Sequence, residues 1–260
     1  MLFTRRLMLV FVLLLASLAI TTALAAQESE PPHWTYEGEE GPDHWGELDA
    51  AYEMCALGLE QSPIDLTDAE AFDLVGVQTN YQPSALTIFN NGHTVQVNYD
   101  AGSTLVVNGV TYELAQFHFH TPSEHTIDGA AFPMEVHFVH RSADGDLAVI
   151  GVMLVEGEAD NEAFAPVFAA LPSEAGDPST IAGVTIDASA MLPAEQLFYT
   201  YRGSLTTPPC YEGVRWIVMT TPVELSAAQI EAFHALFEVN ARPVQLINER
   251  DLLVDSVPGN

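Results

Sequence analysis

Residues 116–120 read QFHFH and residues 134–140 read MEVHFVH, which places four of the chain's nine histidines on two short apolar runs. Along an extended strand, alternate side chains share a face. His118 and His120 therefore point one way while Phe117 and Phe119 point the other, and in the second run Glu135 and His137 share a face that His140 does not. If the second run returns antiparallel beside the first, three imidazoles converge from neighbouring strands. One histidine on an apolar strand is ordinarily a hydrogen-bonded core residue, and plain core strands remain an open reading of both runs. Three neutral imidazoles, by contrast, leave one tetrahedral position of Zn2+ open, the pattern of a catalytic zinc that acidifies a water molecule. Each such imidazole needs an acceptor for its second N–H. Gln116 and Glu135, two residues before His118 and His137 on the same faces, are the natural candidates. His140 is expected in the core, and His33, His44 and His234 lie outside any constellation and are read as surface or structural.

The elements that must position these residues are period-2 runs bounded by turn residues. They comprise LTIFNNGHTVQVNYD (86–100), STLVVNGVTYELAQFHFHT (103–121) turning at Asn108-Gly109, and FPMEVHFVHRSADGDLAVIGVMLVEG (132–157) turning at 142–145. QLFYTYRGSLTTPP (196–209) and VRWIVMTTPVEL (214–225) read as further strands, and residues 161–171 and 226–237 as short helices. Residues 31–58 show little periodicity and read as an irregular arm pinned by Trp34, Tyr36 and Trp45. A β-dominated single domain with a few peripheral helices is expected.

The chain opens MLFTRRLMLVFVLLLASLAITTALAAQ, with Arg5 and Arg6, an apolar run and a small-residue end at Ala25-Ala26. This is the pattern of a secretory signal, and the run is shorter than the roughly 20 apolar residues a membrane anchor requires. Residues 1–26 are expected to be a cleaved signal peptide and residues 27–260 the mature protein, in the periplasm or secreted. That mature chain carries five arginines, no lysine and 36 acids, a net charge of −31 with histidine neutral. Such a charge repels nucleic acid and anionic membranes, so neither is expected as a partner. At 1 M salt the screening length falls to about 3 Å, which relieves the self-repulsion, so adaptation to salty surroundings is expected. In an exported chain the two cysteines, Cys55 and Cys210, are expected to pair, two buried free thiols being the alternative.

The chain resembles the α-class carbonic anhydrases over nearly its whole mature length. The motifs are HWTYEGEEGPDHW (33–45), QSPIDL (61–66), NNGH (90–93), QFHFH (116–120), SEHTIDG (123–129), EVHFVH (135–140), LAVIGV (147–152), GSLTTPPC (203–210) and NARPVQ (240–245). Each is modest alone; in this order and spacing they are specific. The resemblance implies a single domain around a large twisted, mostly antiparallel sheet and the reversible hydration of CO2 to bicarbonate and a proton. It implies that His118, His120 and His137 bind zinc, that Gln116 and Glu135 accept from two of them, and that the backbone carbonyl of Asn240 serves the third. Thr206 matches the threonine that orients the nucleophile and passes its own proton toward Glu124. Val139, Val149, Leu205, Val214 and Trp216 match the apolar wall that holds CO2, although plain strand core describes them equally well, and Thr207 matches the neighbour of bicarbonate.

His93 falls at the position of the histidine that shuttles protons to buffer, and Tyr36 and Asn91 resemble residues that order water near it. His125 matches a buried structural histidine. Cys55 and Cys210 fall where extracellular and bacterial members often carry a disulfide. The arm from 46 to 59 departs from the family's pattern, as does the lysine-free, acidic composition. Two other functions fit the residues less well. A non-catalytic relative would typically lack a zinc histidine, and all three are present. A zinc hydrolase would need oxyanion donors and a general acid for a leaving group, which are not evident. Oligomeric state is not readable from the sequence.

Overall fold

The computed structural model describes residues 32–256, and thirteen strands run through them. In chain order they are β1 (Glu70–Phe72), β2 (Gln78–Asn80), β3 (Ser84–Asn90), β4 (Val95–Asn98), β5 (Thr104–Val107), β6 (Val110–His120) and β7 (Met134–Ser142). There follow β8 (Leu147–Gly157), β9 (Ser179–Ile186), β10 (Phe198–Ser204), β11 (Glu212–Met219), β12 (Val223–Ser226) and β13 (Leu253–Asp255). One sheet runs β1-β13-β10-β11-β8-β7-β6-β4-β3-β9, with β12 alongside β8 and β5 bridging β6 to β2. Its pairings are mostly antiparallel; β8 pairs parallel with β11 and β12, and β1 with β13. The β5–β6 hairpin turns at Asn108-Gly109, both at positive φ, as a two-residue turn requires.

Period-2 patterning sorts the side chains onto two faces. Phe117 and Phe119 of β6, Val136 and Phe138 of β7, Ile150 and Val152 of β8 and Ile217 of β11 belong to one large buried cluster. Val149, Met153, Val214, Trp216 and Val218 form a second cluster on the opposite parity, with the histidines. Both faces of β8 are covered, which explains why its sequence is a continuous apolar run rather than an alternation. Burying a phenylalanine of the first cluster contributes about 1.5–3 kcal/mol, so the strand that carries His118 and His120 is anchored by its own back.

The helices are shorter than the sequence reading. Residues 161–171 hold one α-helical turn, Ala165–Phe168, with Pro166 in its first turn, where a missing N–H is tolerated, and Asn161 Oδ1 accepting from Ala163 N just before it. The helix Ala227–His234 starts at Ser226 with a reciprocal capping box to Gln229. The strand expected over 196–209 ends at Ser204, since the two prolines that follow cannot donate to a ladder. The strand β9, at a sheet edge, carries no buried alternation because both its faces are largely exposed, and it is absent from the sequence reading. In the arm, short helical turns surround a cluster of Trp45, Tyr52, Cys55 and Cys210, against which Trp34 and Tyr36 pack. The leader expected at residues 1–26 lies outside the described residues.

Candidate metal centre and active site

The antiparallel register of β6 and β7 sets His118 directly opposite His137 and His120 opposite Glu135. The His118, His120 and His137 rings lie 4.6–5.4 Å apart between centroids. One nitrogen from each falls within 4.8 Å of the others. The outer nitrogen of each ring meets an oxygen that can only accept: His118 Nδ1 donates to Gln116 Oε1 at 2.9 Å, His120 Nδ1 to the Asn240 carbonyl at 2.7 Å and His137 Nε2 to Glu135 Oε1 at 2.8 Å. The tautomers that result leave His118 Nε2, His120 Nε2 and His137 Nδ1 as inward lone pairs. His120 Nε2 is buried without a hydrogen-bond partner. Burial holds all three imidazoles neutral, His120 down to about 4, with neighbouring histidines adding to the effect at His118 and His137. Three neutral nitrogens with secured outer N–H groups suit a divalent metal with borderline-soft preference, such as zinc.

Glu135 is a buried carboxylate met by four donors: Glu124 N and His125 N on Oε2, His125 Nδ1 and His137 Nε2 on Oε1, all at 2.8–2.9 Å. Burial alone would raise its pKa; the electrostatic pull and the hydrogen bonds of His125 and His137 outweigh that and hold it well below the carboxylate range. His125, Glu135 and His137 also form a metal-like triad by distance, but Glu135 sits between the two rings as a hydrogen-bond acceptor, so that group is satisfied as it stands. His125 Nε2 continues the chain to Tyr201 Oη at 2.7 Å, the buried structural role expected of it. His140, on the far face, is buried against Tyr81 Oη at 2.7 Å.

Glu124 Oε1 accepts from the backbone N–H of Arg242 at 2.9 Å, while its Oε2 is buried without a hydrogen-bond partner. Burial pushes Glu124 up to about 7, against the opposing pull of His137, Arg242 and Thr206. Val149, Val214 and Trp216 belong to one buried cluster, with Val139 and Leu205 packed against it, and the Trp216 ring meets His137 at 4.8 Å between centroids. His93 stands on a turn held by Asn91 Oδ1, which accepts from His93 N and Thr94 N. Its ring stacks on Trp34, centroids 3.7 Å apart and planes within 6°. A cavity of about 140 Å3 is lined by Tyr36, Asn91 and His93 as well as by His118, His120 and Thr207. Asn240 ties the two ends together: its carbonyl receives His120, and its side chain donates to the carbonyls of His93 and Phe119. Cys55 and Cys210 are bonded, fastening the arm to the loop that follows Thr206 and Thr207. His33 and His44 are exposed, beside Glu40 and Glu47.

Two residues escape the sequence reading. Arg242 is almost fully buried and donates to Gln61 Oε1 and the carbonyls of Ser62 and Cys55, partners about 180 positions away that leave no local trace. Gly151, opposite His137 on β8, has only Glu135 Oε1 closer than ordinary contact to where a Cβ would stand, at 2.8 Å. A glycine inside an apolar strand is the signal that could have marked a close approach.

Over residues 40–255 the sequence matches the family described as eukaryotic-type carbonic anhydrase. It is 49% identical over 230 residues to a carbonic anhydrase of a Nostoc species, covering 86% of each chain. To that of Neisseria gonorrhoeae it is 42% identical, covering 90% of this chain and 92% of the other. Its fold is similar to the α-carbonic anhydrase of Thermovibrio ammonificans, solved with the inhibitor sulfanilamide, at a TM-score of 0.83 and 43% identity over 86% of this chain and 99% of that one. Among the described residues no helix is long and apolar enough to cross a membrane.

Proposed function

The chain belongs to the eukaryotic-type, α-class carbonic anhydrase family, and from that premise we propose that it hydrates CO2 reversibly on zinc held by His118, His120 and His137, with His93 exporting the proton. Bound there, zinc acidifies a water molecule to a pKa of about 7, a value taken from carbonic anhydrase itself rather than derived from this geometry. Gln116, Glu135 and the Asn240 carbonyl fix the three rings and their tautomers. Thr206 commits its own proton to Glu124, whose Oε2 has no other partner, so its oxygen offers only lone pairs to the attacking species; that species must donate there and turn a lone pair of its own toward carbon. Val139, Val149, Leu205, Val214 and Trp216 supply a surface that suits a small apolar substrate, and Thr207 stands where bicarbonate forms. Tyr36 and Asn91 order the path along which the proton reaches His93, a non-ligand imidazole of the kind proton export needs.

The observation that carries the reading is the set of three imidazoles, two buried and His118 half-buried, whose outer nitrogens are all occupied while their inner lone pairs converge. Metal analysis with stopped-flow CO2 hydration tests it: zinc near one equivalent and fast turnover are expected, with both lost in His120→Ala. Absence of zinc, or a variant indistinguishable from wild type, would sink it. His93→Ala should slow turnover in dilute buffer and recover with added imidazole; an unchanged rate removes His93 from the mechanism. Residues 1–26 are proposed to direct export and be removed, so N-terminal sequencing of the exported protein should begin near Gln27.

A further inference from the structure

For the nucleophile to be oriented, two groups on different segments must meet: the Thr206 hydroxyl, on the loop after β10, and the Glu124 carboxylate, between β6 and β7. Glu124 is held on one side only. Its Oε1 accepts the backbone N–H of Arg242 at 2.9 Å, and its Oε2 is buried without a partner. Among the described residues Arg242 is the one buried arginine, at 2% exposed. Its side chain is therefore the place to look for what aims that N–H.

The guanidinium of Arg242 joins the arm to the Thr206 loop. Nη1 donates to Gln61 Oε1 at 2.9 Å and to the Ser62 carbonyl at 2.8 Å, and Nη2 to the Cys55 carbonyl at 3.0 Å. Gln61 carries the connection onward, its Nε2 donating to the Cys210 carbonyl at 3.0 Å. Ser62 does the same at the other end: its N–H donates to Ser204 Oγ at 2.9 Å, and its hydroxyl accepts the N–H of Ser204 at 3.0 Å. Ser204 and Cys210 flank the loop that carries Thr206, so both ends of that loop rest on residues the guanidinium holds. The group lies over the Trp45 ring, 5.6 Å from its centroid. Burial lowers its pKa to about 10, against the opposing pull of Glu124, and it stays charged at neutral pH. Asn240, which receives His120, is fixed separately by Thr121 and by the carbonyls of His93 and Phe119. Metal ligation therefore does not hang on the guanidinium.

We propose that Arg242 is a positioning residue that aligns Thr206 with Glu124, its backbone N–H fixing the carboxylate and its guanidinium, through Gln61 and Ser62, fixing the loop of the hydroxyl. The inference rests on the carbonic anhydrase reading above and deepens it. Arg242 touches neither substrate nor metal; it acts by keeping two distant segments in register. Such alignment is sensitive, since a misplacement of about 1 Å costs on the order of a hundredfold in rate. A lysine at 242 keeps the charge, but a compact ammonium cannot serve Gln61, Ser62 and Cys55 from one planar fork. Gln61→Met is the milder change: it cuts the link to Cys210 and leaves the contacts of Arg242 to Ser62, Cys55 and Glu124.

Stopped-flow CO2 hydration by the zinc-loaded, disulfide-bonded protein tests this, read as kcat/KM, which reports the attack on carbon and not proton export. Arg242→Lys should lower kcat/KM by about tenfold to a hundredfold and Gln61→Met by about threefold to tenfold, each with zinc still near one equivalent. In a Thr206→Ala background there is no hydroxyl to align, so both losses should disappear, whereas a general weakening of the fold would persist there. An unchanged kcat/KM in both variants, losses of equal size with and without Thr206, or a loss of zinc that accounts for the lost activity overturns the positioning role and leaves the parent reading standing. If Arg242→Lys does not fold, Gln61→Met with its Thr206→Ala pair decides the question alone. A zinc-loaded wild-type protein that does not hydrate CO2 overturns the parent reading and the positioning role with it.

Discussion

Substituting Gly151 by alanine tests whether Glu135 is held as rigidly as its contacts say. A Cβ at 151 would stand 2.8 Å from Glu135 Oε1, closer than side chains tolerate, whereas its other neighbours, Val218 Cγ2 at 3.6 Å and His137 Cδ2 at 3.7 Å, are in ordinary contact. The carboxylate must therefore give way, yet four N–H groups hold it at 2.8–2.9 Å. Moving Oε1 stretches the two bonds it receives, from His125 and His137. An intact hydrogen bond to a charged group contributes about 1.5–3 kcal/mol, and overpacking of a well-filled core costs about 1–3 kcal/mol. Partial loss of two such bonds comes to about 2–3 kcal/mol, or a melting temperature lower by about 4–12 °C at this chain length. Because Glu135 also orients His137, affinity for zinc should fall about tenfold or more. Urea denaturation of the metal-free protein reads the first effect and competition against a chelator the second. Gly176→Ala is the control, since nothing lies within 4 Å of its Cβ position and its φ is not positive. A Gly151→Ala protein matching wild type in both stability and zinc affinity would refute the account of Glu135.

Three further outcomes follow from the same contacts. His140, buried on the core face, has its pKa lowered to about 4 by burial from an ordinary 6.5, so between those pH values the unfolded state binds more protons at this residue than the folded one. Stability then falls as pH falls through that window; relative to His140→Phe, wild type should lose about 3 kcal/mol between pH 6.5 and 4, and parallel urea profiles would contradict this. Replacing Cys55 and Cys210 by serine opens a link spanning 155 residues and should cost about 5 kcal/mol on the chain-entropy account, read by denaturation against the oxidised protein. The melting temperature should rise from dilute buffer to 1 M salt as about 3 Å screening removes repulsion among 36 acids; a flat or falling profile would count against that charge argument.

Much of the site is legible in the sequence because strand periodicity is local. With a period of two, the spacing of QFHFH and MEVHFVH puts His118, His120, Glu135 and His137 on one pair of faces and sends His140, Phe117 and Phe119 to the other, whatever the rest of the chain does. The Asn108-Gly109 hairpin and the apolar run of β8 are equally readable, since turn chemistry and two-sided burial leave their mark on neighbouring residues. The edge strand β9 does not, because apart from Ile186 its residues are exposed or half-buried on both faces and leave no alternation to detect.

Tertiary structure alone decided what depends on residues far apart in the chain. The direct opposition of His118 and His137 is a matter of register between two strands. The Asn240 carbonyl reaches His120 across 120 positions, Arg242 gathers the carbonyls of Cys55 and Ser62, and Gly151 matters only because Glu135 lies against it. The sequence by itself determined which atoms face the site. The fold decided their distances, hydrogen-bond partners and protonation, because those depend on burial and on contacts that no local pattern encodes.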